Sequence, residues 1–163
     1  MKNLIECTKH NCKILNDHEV EYLIVGGTAV SIHGYPRLSM ASDGSILGKH
    51  DLDFWYNPTY ENYFKLLKAL KDIGVKGDFL EEKNPDPNKS FFKYEFDDYK
   101  LDFLPNIKGL DKFSKAFKNR FVVELDGIKL PIISYEDLLT TKEFSKRKKD
   151  RIDIEMLKKN RSE

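Results

Sequence analysis

The chain reads as short apolar runs punctuated by polar turns. Leu4, Ile5, Ile14 and Leu15, with polar residues between them, predict an amphipathic helix over Lys2–Asn16. Tyr22-Leu23-Ile24-Val25 is a compact run of strand formers closed by Gly26-Gly27. Thr28–His33 then predicts a short helix, stopped by Gly34 with Pro36 just beyond. Leu38–His50 carries three serines, an aspartate and two glycines and predicts a loop. Asp51–Tyr56 is the second strand. Pro58 and Thr59 open a helix that runs to about Asp72 on Tyr63, Phe64, Leu66, Leu67 and Leu70, with Gly74 closing it. Glu81–Lys89 sets Pro85 and Pro87 among charges and predicts a mobile loop.

Farther along, hairpins take over. Phe91–Phe96 and Lys100–Leu104 flank a tight Asp97-Asp98 turn, and Phe121–Leu125 and Ile128–Ile133 flank Asp126-Gly127. Lys112–Lys118 predicts a short helix between them. Ser134 starts another, with Asp137 three residues on as a weak capping box. The tail, Arg147–Arg161, is a charged helix on Ile152, Ile154, Met156 and Leu157. Early strand–helix alternation followed by hairpins predicts an α/β (α+β) fold, a mixed β-sheet flanked by helices. The expected organisation is one domain over 1–163 with a helical segment from about 134.

Composition narrows the classes. With 163 residues, 40% hydrophobic and 34% charged, the chain can bury a core and is not of disordered type. A formal net charge of +1 gives no whole-molecule attraction to nucleic acid. No apolar run approaches the roughly 18 residues of a membrane span, and the N-terminus lacks a secretory pattern. The expectation is a cytoplasmic protein with no membrane partner. Cys7 and Cys12 lie five apart on one helix and predict reduced thiols rather than a bridge.

The chemistry centres on carboxylates. On a strand, residues two apart share a face, so Asp51 and Asp53 project side by side while Leu52 and Phe54 face the core. Two adjacent carboxylates stay ionised only with a cation nearby, and Mg²⁺ (or Mn²⁺) suits an all-oxygen site that also meets phosphates. Two surface aspartates on a solvent-facing edge are the plain alternative. Asp102 interrupts the apolar strand Lys100–Leu104; if that strand lies beside Asp51–Asp53, a third carboxylate joins the pair. Gly26-Gly27, ahead of a helix N-terminus, lets a phosphate approach the backbone. His50 is a candidate supporting group beside Asp51. The basic run Lys142, Lys146, Arg147, Lys148, Lys149 and Arg151 reads either as a solvated helix face interleaved with Glu143, Asp150, Asp153 and Glu155, or as a positive rim for phosphates.

Tyr22–Arg37, with Val-Gly-Gly-Thr-Ala within it, followed by Asp51-Leu52-Asp53-Phe54-Trp55, resembles the nucleotidyltransferase superfamily, and within it small bacterial proteins allied to the AbiEii-type toxins. The resemblance implies that Gly26, Gly27, Thr28, Arg37 and Lys142 bind the nucleotide. It also implies that Asp51, Asp53 and Asp102 are the catalytic, metal-binding carboxylates. Lys142 would contact the triphosphate, and Leu138–Lys142 with Asp150 matches the later motifs of those toxins. The implied activity moves an NMP group from a nucleoside triphosphate to an acceptor hydroxyl on a tRNA, a protein or a small molecule. A catalytically silent nucleotide-binding or toxin–antitoxin interaction protein, with an antitoxin as partner, is the alternative. Two departures stand out. Arg37 lies 14 residues before Asp51 (51 − 37), so Leu38–His50 looks like an insertion, and Thr28 sits one place later than the serine of many relatives.

Overall fold

The structure, a computed structural model, describes residues 3–34 and 49–162. Arg37 and most of the expected insertion lie outside the described residues. Helix α1 (Leu4–Asp17) is capped by Asn3, whose side chain accepts from the Glu6 amide at 2.8 Å. Strand β1 (Tyr22–Val25) runs directly into α2 (Gly26–Ile32). Then come β2 (His50–Tyr56) and α3 (Tyr60–Ile73), which starts on a Thr59 cap and stops at Gly74 in the left-handed region. Strands β3 (Phe92–Glu95) and β4 (Tyr99–Leu104) form the first hairpin, followed by α4 (Phe113–Lys118). Strands β5 (Phe121–Leu125) and β6 (Ile128–Ile132) form the second. Its turn residues Asp126 and Gly127 both take positive φ, 51° and 76°, as a two-residue hairpin turn requires. Helices α5 (Tyr135–Ser145) and α6 (Lys148–Ser162) complete the chain. The Ser134 hydroxyl accepts from the Asp137 amide at 3.1 Å, so the capping signal holds despite the shorter acid.

The six strands form one mixed sheet in the order β3-β4-β2-β1-β6-β5. The two pairs β2/β4 and β1/β6 are parallel, while β1/β2 and both hairpins are antiparallel. One face carries the aromatic core: Phe54 stacks on Phe103 at 4.8 Å between ring centroids, and Tyr22 meets Phe54 edge-on at 5.7 Å. On the other face Trp55 packs edge-on against Phe113 of α4 and donates its indole N–H to the Pro105 carbonyl at 3.1 Å. Cys7 and Cys12 are both fully buried, and they form no disulfide. Burial raises the Cys12 thiol to about 12, so it is inert.

Residues 81–89 depart from the expected mobile loop. A short 3₁₀ helix (Asp78–Glu81) leads in, and Pro85 and Pro87 are both buried. The Tyr56 hydroxyl reaches the Pro87 carbonyl at 2.9 Å and also meets the Ser90 carbonyl. The prolines are apolar side chains that pack, and the charges around them face outward. Among the described residues no helix is long and apolar enough to cross a membrane.

Candidate active site

Strand register assembles the acidic cluster. Strands β2 and β4 run parallel with Asp53 opposite Asp102 and Asp51 opposite Lys100. Side-chain alternation puts Asp51, Asp53 and Asp102 on one face, with Leu52 and Phe54 buried on the other. The third carboxylate therefore joins the pair as the sequence predicts.

Crowding sets their protonation. Burial, the charges of Asp102 and Asp51, and a hydrogen bond with Asp102 push Asp53 up to about 7, against the pull of Lys142. Burial also raises Asp102, opposed by the Asp53 hydrogen bond and by the charges of Lys93 and Lys100. Both shifts share one cause: carboxylates this close, and partly withdrawn from water, resist ionising together. Among the described residues no group of three or more His, Cys, Asp and Glu side chains forms a ready-made metal cage.

The glycine turn differs from expectation, because α2 begins at Gly26 itself and the turn and helix merge. Gly26 has φ +63°, and a Cβ there would overlap Asp53 Oδ2 and stand 3.0 Å from Asp53 Cβ. Glycine thus serves Asp53 as much as any ligand. Gly26→Ala is expected to cost about 2 kcal/mol or more, through positive φ and displacement of Asp53. Urea denaturation checks this; a loss below about 0.5 kcal/mol would contradict the tight approach. Gly27 follows half-buried in the first turn of α2. Thr28 is buried, and its hydroxyl donates to the Asp51 carbonyl at 3.2 Å, which fixes α2 to β2. His50 opens β2, half-buried beside Asp51.

A cleft of about 630 Å³ opens from Asp53 toward α5 and α6. Gly26, Lys108, Lys142, Phe144 and Arg147 share its lining with Asp53. Phe144 exposes 57% of its surface there, an apolar ring left at the mouth. Lys142 faces this cleft but is only 6% exposed. Its Nζ lies 3.2 Å from Asp150 Oδ1 and 3.1 Å from Asp153 Oδ2. Arg147 adds a second tie to Asp150, Nε to Oδ2 at 2.7 Å. Burial favours the neutral form of Asp150, but hydrogen bonds from Arg147 and Ser145 and the charges of Lys142 and Arg147 hold its pKa below the usual value.

Two of the four interleaved acids are therefore not on a solvated face: Asp150 and Asp153 are fully buried, while Glu143 and Glu155 are exposed as a solvated face requires. A backbone break at Lys146, with φ 58°, folds α6 back onto α5 and turns them inward. Sequence reasoning missed Lys108, Lys93 and Lys100. The last two were legible in principle, since strand alternation and hairpin register place them on the carboxylate face.

No protein-family model matches the sequence, and no curated protein matches it. Solved structures do match. The lincosamide antibiotic adenylyltransferase LnuA, solved with lincomycin bound, superposes with a TM-score of 0.61 at 20% identity, covering 96% of each chain. A nucleotidyltransferase candidate from Thermotoga maritima gives 0.51 at 12% identity over 97% of this chain and 88% of that one. An antigenic nucleotidyltransferase-like protein from Paracoccidioides brasiliensis gives 0.53 at 13% identity over 93% of this chain and 73% of that one. The mixed sheet and its helices are the nucleotidyltransferase fold.

Proposed function

We propose that this protein transfers a nucleoside monophosphate group from a nucleoside triphosphate to an acceptor hydroxyl. The observation that carries the reading is the Asp53–Asp102 pair, directly opposed on adjacent parallel strands beside Asp51 and at the foot of a cationic cleft. Carboxylates crowded together on one face are costly to keep, and such costs concentrate at functional sites. An all-oxygen donor set fits a hard cation such as Mg²⁺ or Mn²⁺. Mg²⁺ binds through one or two carboxylates plus substrate phosphates, so an incomplete protein cage is consistent with it. Asp51, Asp53 and Asp102 would hold the ion, which when bound neutralises phosphate charge.

The chain's own residues divide the remaining work. Lys108 and Arg147 on the cleft rim attract the triphosphate, and Phe144 offers a face for the base. Lys142, tied to two aspartates, holds α5 and α6 in place as the cleft wall and adds positive charge near Asp53. Asp102 takes the acceptor's proton as its oxygen bonds to the α-phosphorus; the bond from that phosphorus to pyrophosphate breaks and pyrophosphate leaves. The likeness to an adenylyltransferase solved with an antibiotic supports a small-molecule acceptor as one arm of the test.

The test uses each nucleoside triphosphate labelled at the α-phosphate, with Mg²⁺, cell extract and lincomycin as acceptor sources. Label should move to an acceptor, and Asp102→Ala should slow this by about 10²-fold or more. Calorimetry should show nucleotide and Mg²⁺ binding together far more tightly than either alone. Joint binding without transfer would instead assign a silent nucleotide-binding or antitoxin-controlled protein. Absence of any nucleotide binding would overturn both readings.

A further inference from the structure

We propose that this chain pairs with a second copy of itself along the outer edge of β5, joining the two sheets into one. The inference does not depend on the transfer reading.

Strand β5 ends the sheet, and among the described residues no strand lies beyond it. The hairpin turn fixes which of its backbone groups are used. Leu125 and Ile128 flank a two-residue turn, so they exchange hydrogen bonds, and bonded pairs recur at every second position along the ladder. Phe121, Val123 and Leu125 therefore bond inward to β6. The N–H and C=O groups of Val122 and Glu124 point out from the edge. Pro131 agrees with this pattern, because it stands opposite Val122, where β6 needs no donor toward β5.

Sheet edges are commonly blunted by lysine, proline or a bulge. The opposite edge, β3, is blunted: it carries Lys93 and Glu95, and Lys49 bonds both the Glu95 carboxylate at 2.6 Å and the Phe96 carbonyl at 3.0 Å. Strand β5 has no lysine and no proline, and its register runs without a bulge. Its Phe121 and Val122 are 49% and 45% exposed.

The segment Arg120–Glu124 is its own complement. An antiparallel, two-fold pairing centred on Val122 sets Val122 against Val122 of the second copy and bonds their backbones twice. It places Arg120 directly opposite Glu124 of the second copy, and Glu124 opposite Arg120 of that copy. On the other face Phe121 meets Val123 of the second copy. The most exposed apolar side chains of the strand are covered, with an opposite-charge pair on each side of them. Arg120 and Glu124 are both exposed. Arg120 lies over the Phe117 ring and uses one of its five donors on the Phe117 carbonyl. Lys129 faces Glu124 from β6 in the single chain and in the pair alike, so it does not decide between them. Other centres fit less well. Pairing about Glu124 opposes two like charges. Pairing about Val123 leaves Glu124 opposite an apolar side chain and sets Arg120 against the turn residue Asp126, which Lys9 already holds. The carboxylate cluster lies on β2 and β4, well in from this edge, so each copy keeps its own.

Sedimentation equilibrium of the whole chain in low salt tests this. The unaltered protein should show twice the mass of one chain. Val122→Lys, which sets two ammonium groups against each other at the centre, should return it to one. Glu124→Arg alone and Arg120→Glu alone should each weaken pairing by about fivefold or more, since each turns two attractive contacts repulsive. The two together should restore it to within about twofold, because the charges are exchanged and not removed. All are changes at exposed positions, and a circular dichroism spectrum matching that of the unaltered protein confirms that each variant is folded. Tyr60→Ser with Phe64→Ser, at the exposed aromatic pair on α3, should leave the mass unchanged. A single-chain mass up to millimolar concentration would leave the edge to a strand of some other protein and overturn the proposal. So would pairing that survives Val122→Lys, a charge exchange that fails to restore it, or a dimer dissolved by the α3 changes instead.

Discussion

Lys142→Met is expected to be the most damaging single substitution in the protein, lowering unfolding stability by about 3–5 kcal/mol. The ammonium group is the shared partner of Asp150 and Asp153, both fully buried. Its removal takes the shared cation from two buried carboxylates, while Arg147 stays tied to Asp150. Urea denaturation at pH 7 should show the midpoint fall with little change in slope. The loss should shrink when Asp150→Asn and Asp153→Asn are added, because neutral groups cost less to bury unpaired than charges do. Asp150 also gives the corner a pH signature. Its folded pKa lies below the unfolded one, so its contribution is present above the unfolded value and disappears as pH falls through the folded value. Without Lys142 that acid sensitivity should begin at higher pH. A loss below 1 kcal/mol would mean the network is not closed to solvent. Nucleotide binding should also weaken in Lys142→Met, because the wall of the cleft is built on this corner.

Asp53→Asn should do the opposite to stability and abolish function. Asp53 titrates at about 7 in the folded protein against an ordinary 3.8, so between those values the folded state holds a proton that the unfolded chain has released. Stability therefore falls as pH rises from about 4 to about 7 and is flat above, as far as this group is concerned. An amide cannot ionise and escapes the penalty. At pH 8 the variant should be more stable by roughly 1–3 kcal/mol, several degrees in melting temperature, with the gain vanishing near pH 4. Nucleotide with Mg²⁺ should raise the melting temperature of the unaltered protein at pH 8 and leave the variant unmoved. Transfer should drop by about 10³-fold or more in the variant. A variant less stable than the parent at pH 8 would show that the cluster is compensated after all.

Most of the fold could be read from the sequence because its strands are short, apolar and bounded by strong turns. Tyr22–Val25 matched to the residue, and Asp126-Gly127 marked its hairpin. The carboxylates were legible for the same reason: Asp51 and Asp53 obey strand alternation, and Asp102 breaks an apolar run that had to pair somewhere. What stayed hidden depends on tertiary packing. Asp150 and Asp153 sit among lysines and arginines, and no local pattern separates a charge that faces water from one that faces Lys142 across a helix corner. Gly26 read as a turn glycine, while its tight contact is with a side chain 27 residues later (53 − 26). Pro85 and Pro87 read as loop markers, because composition cannot tell a buried proline from an exposed one.

The in-register pairing of β2 with β4 also bears on how such a site can be inherited. The spacing of Asp53 and Asp102 is set by the backbone ladder between neighbouring strands, about 4.8 Å in any sheet, and not by the residues packed beneath. A lineage can exchange nearly every core side chain, one compensated step at a time, and keep the two carboxylates at the same separation. What it cannot survive is insertion or loss of one residue within either strand. That would turn Asp102 toward the aromatic core and bring Leu101 or Phe103 to the cluster. Divergence in such a protein is therefore free in composition and forbidden in length across a few strand positions, and sequence identity is a poor measure of what descent has preserved.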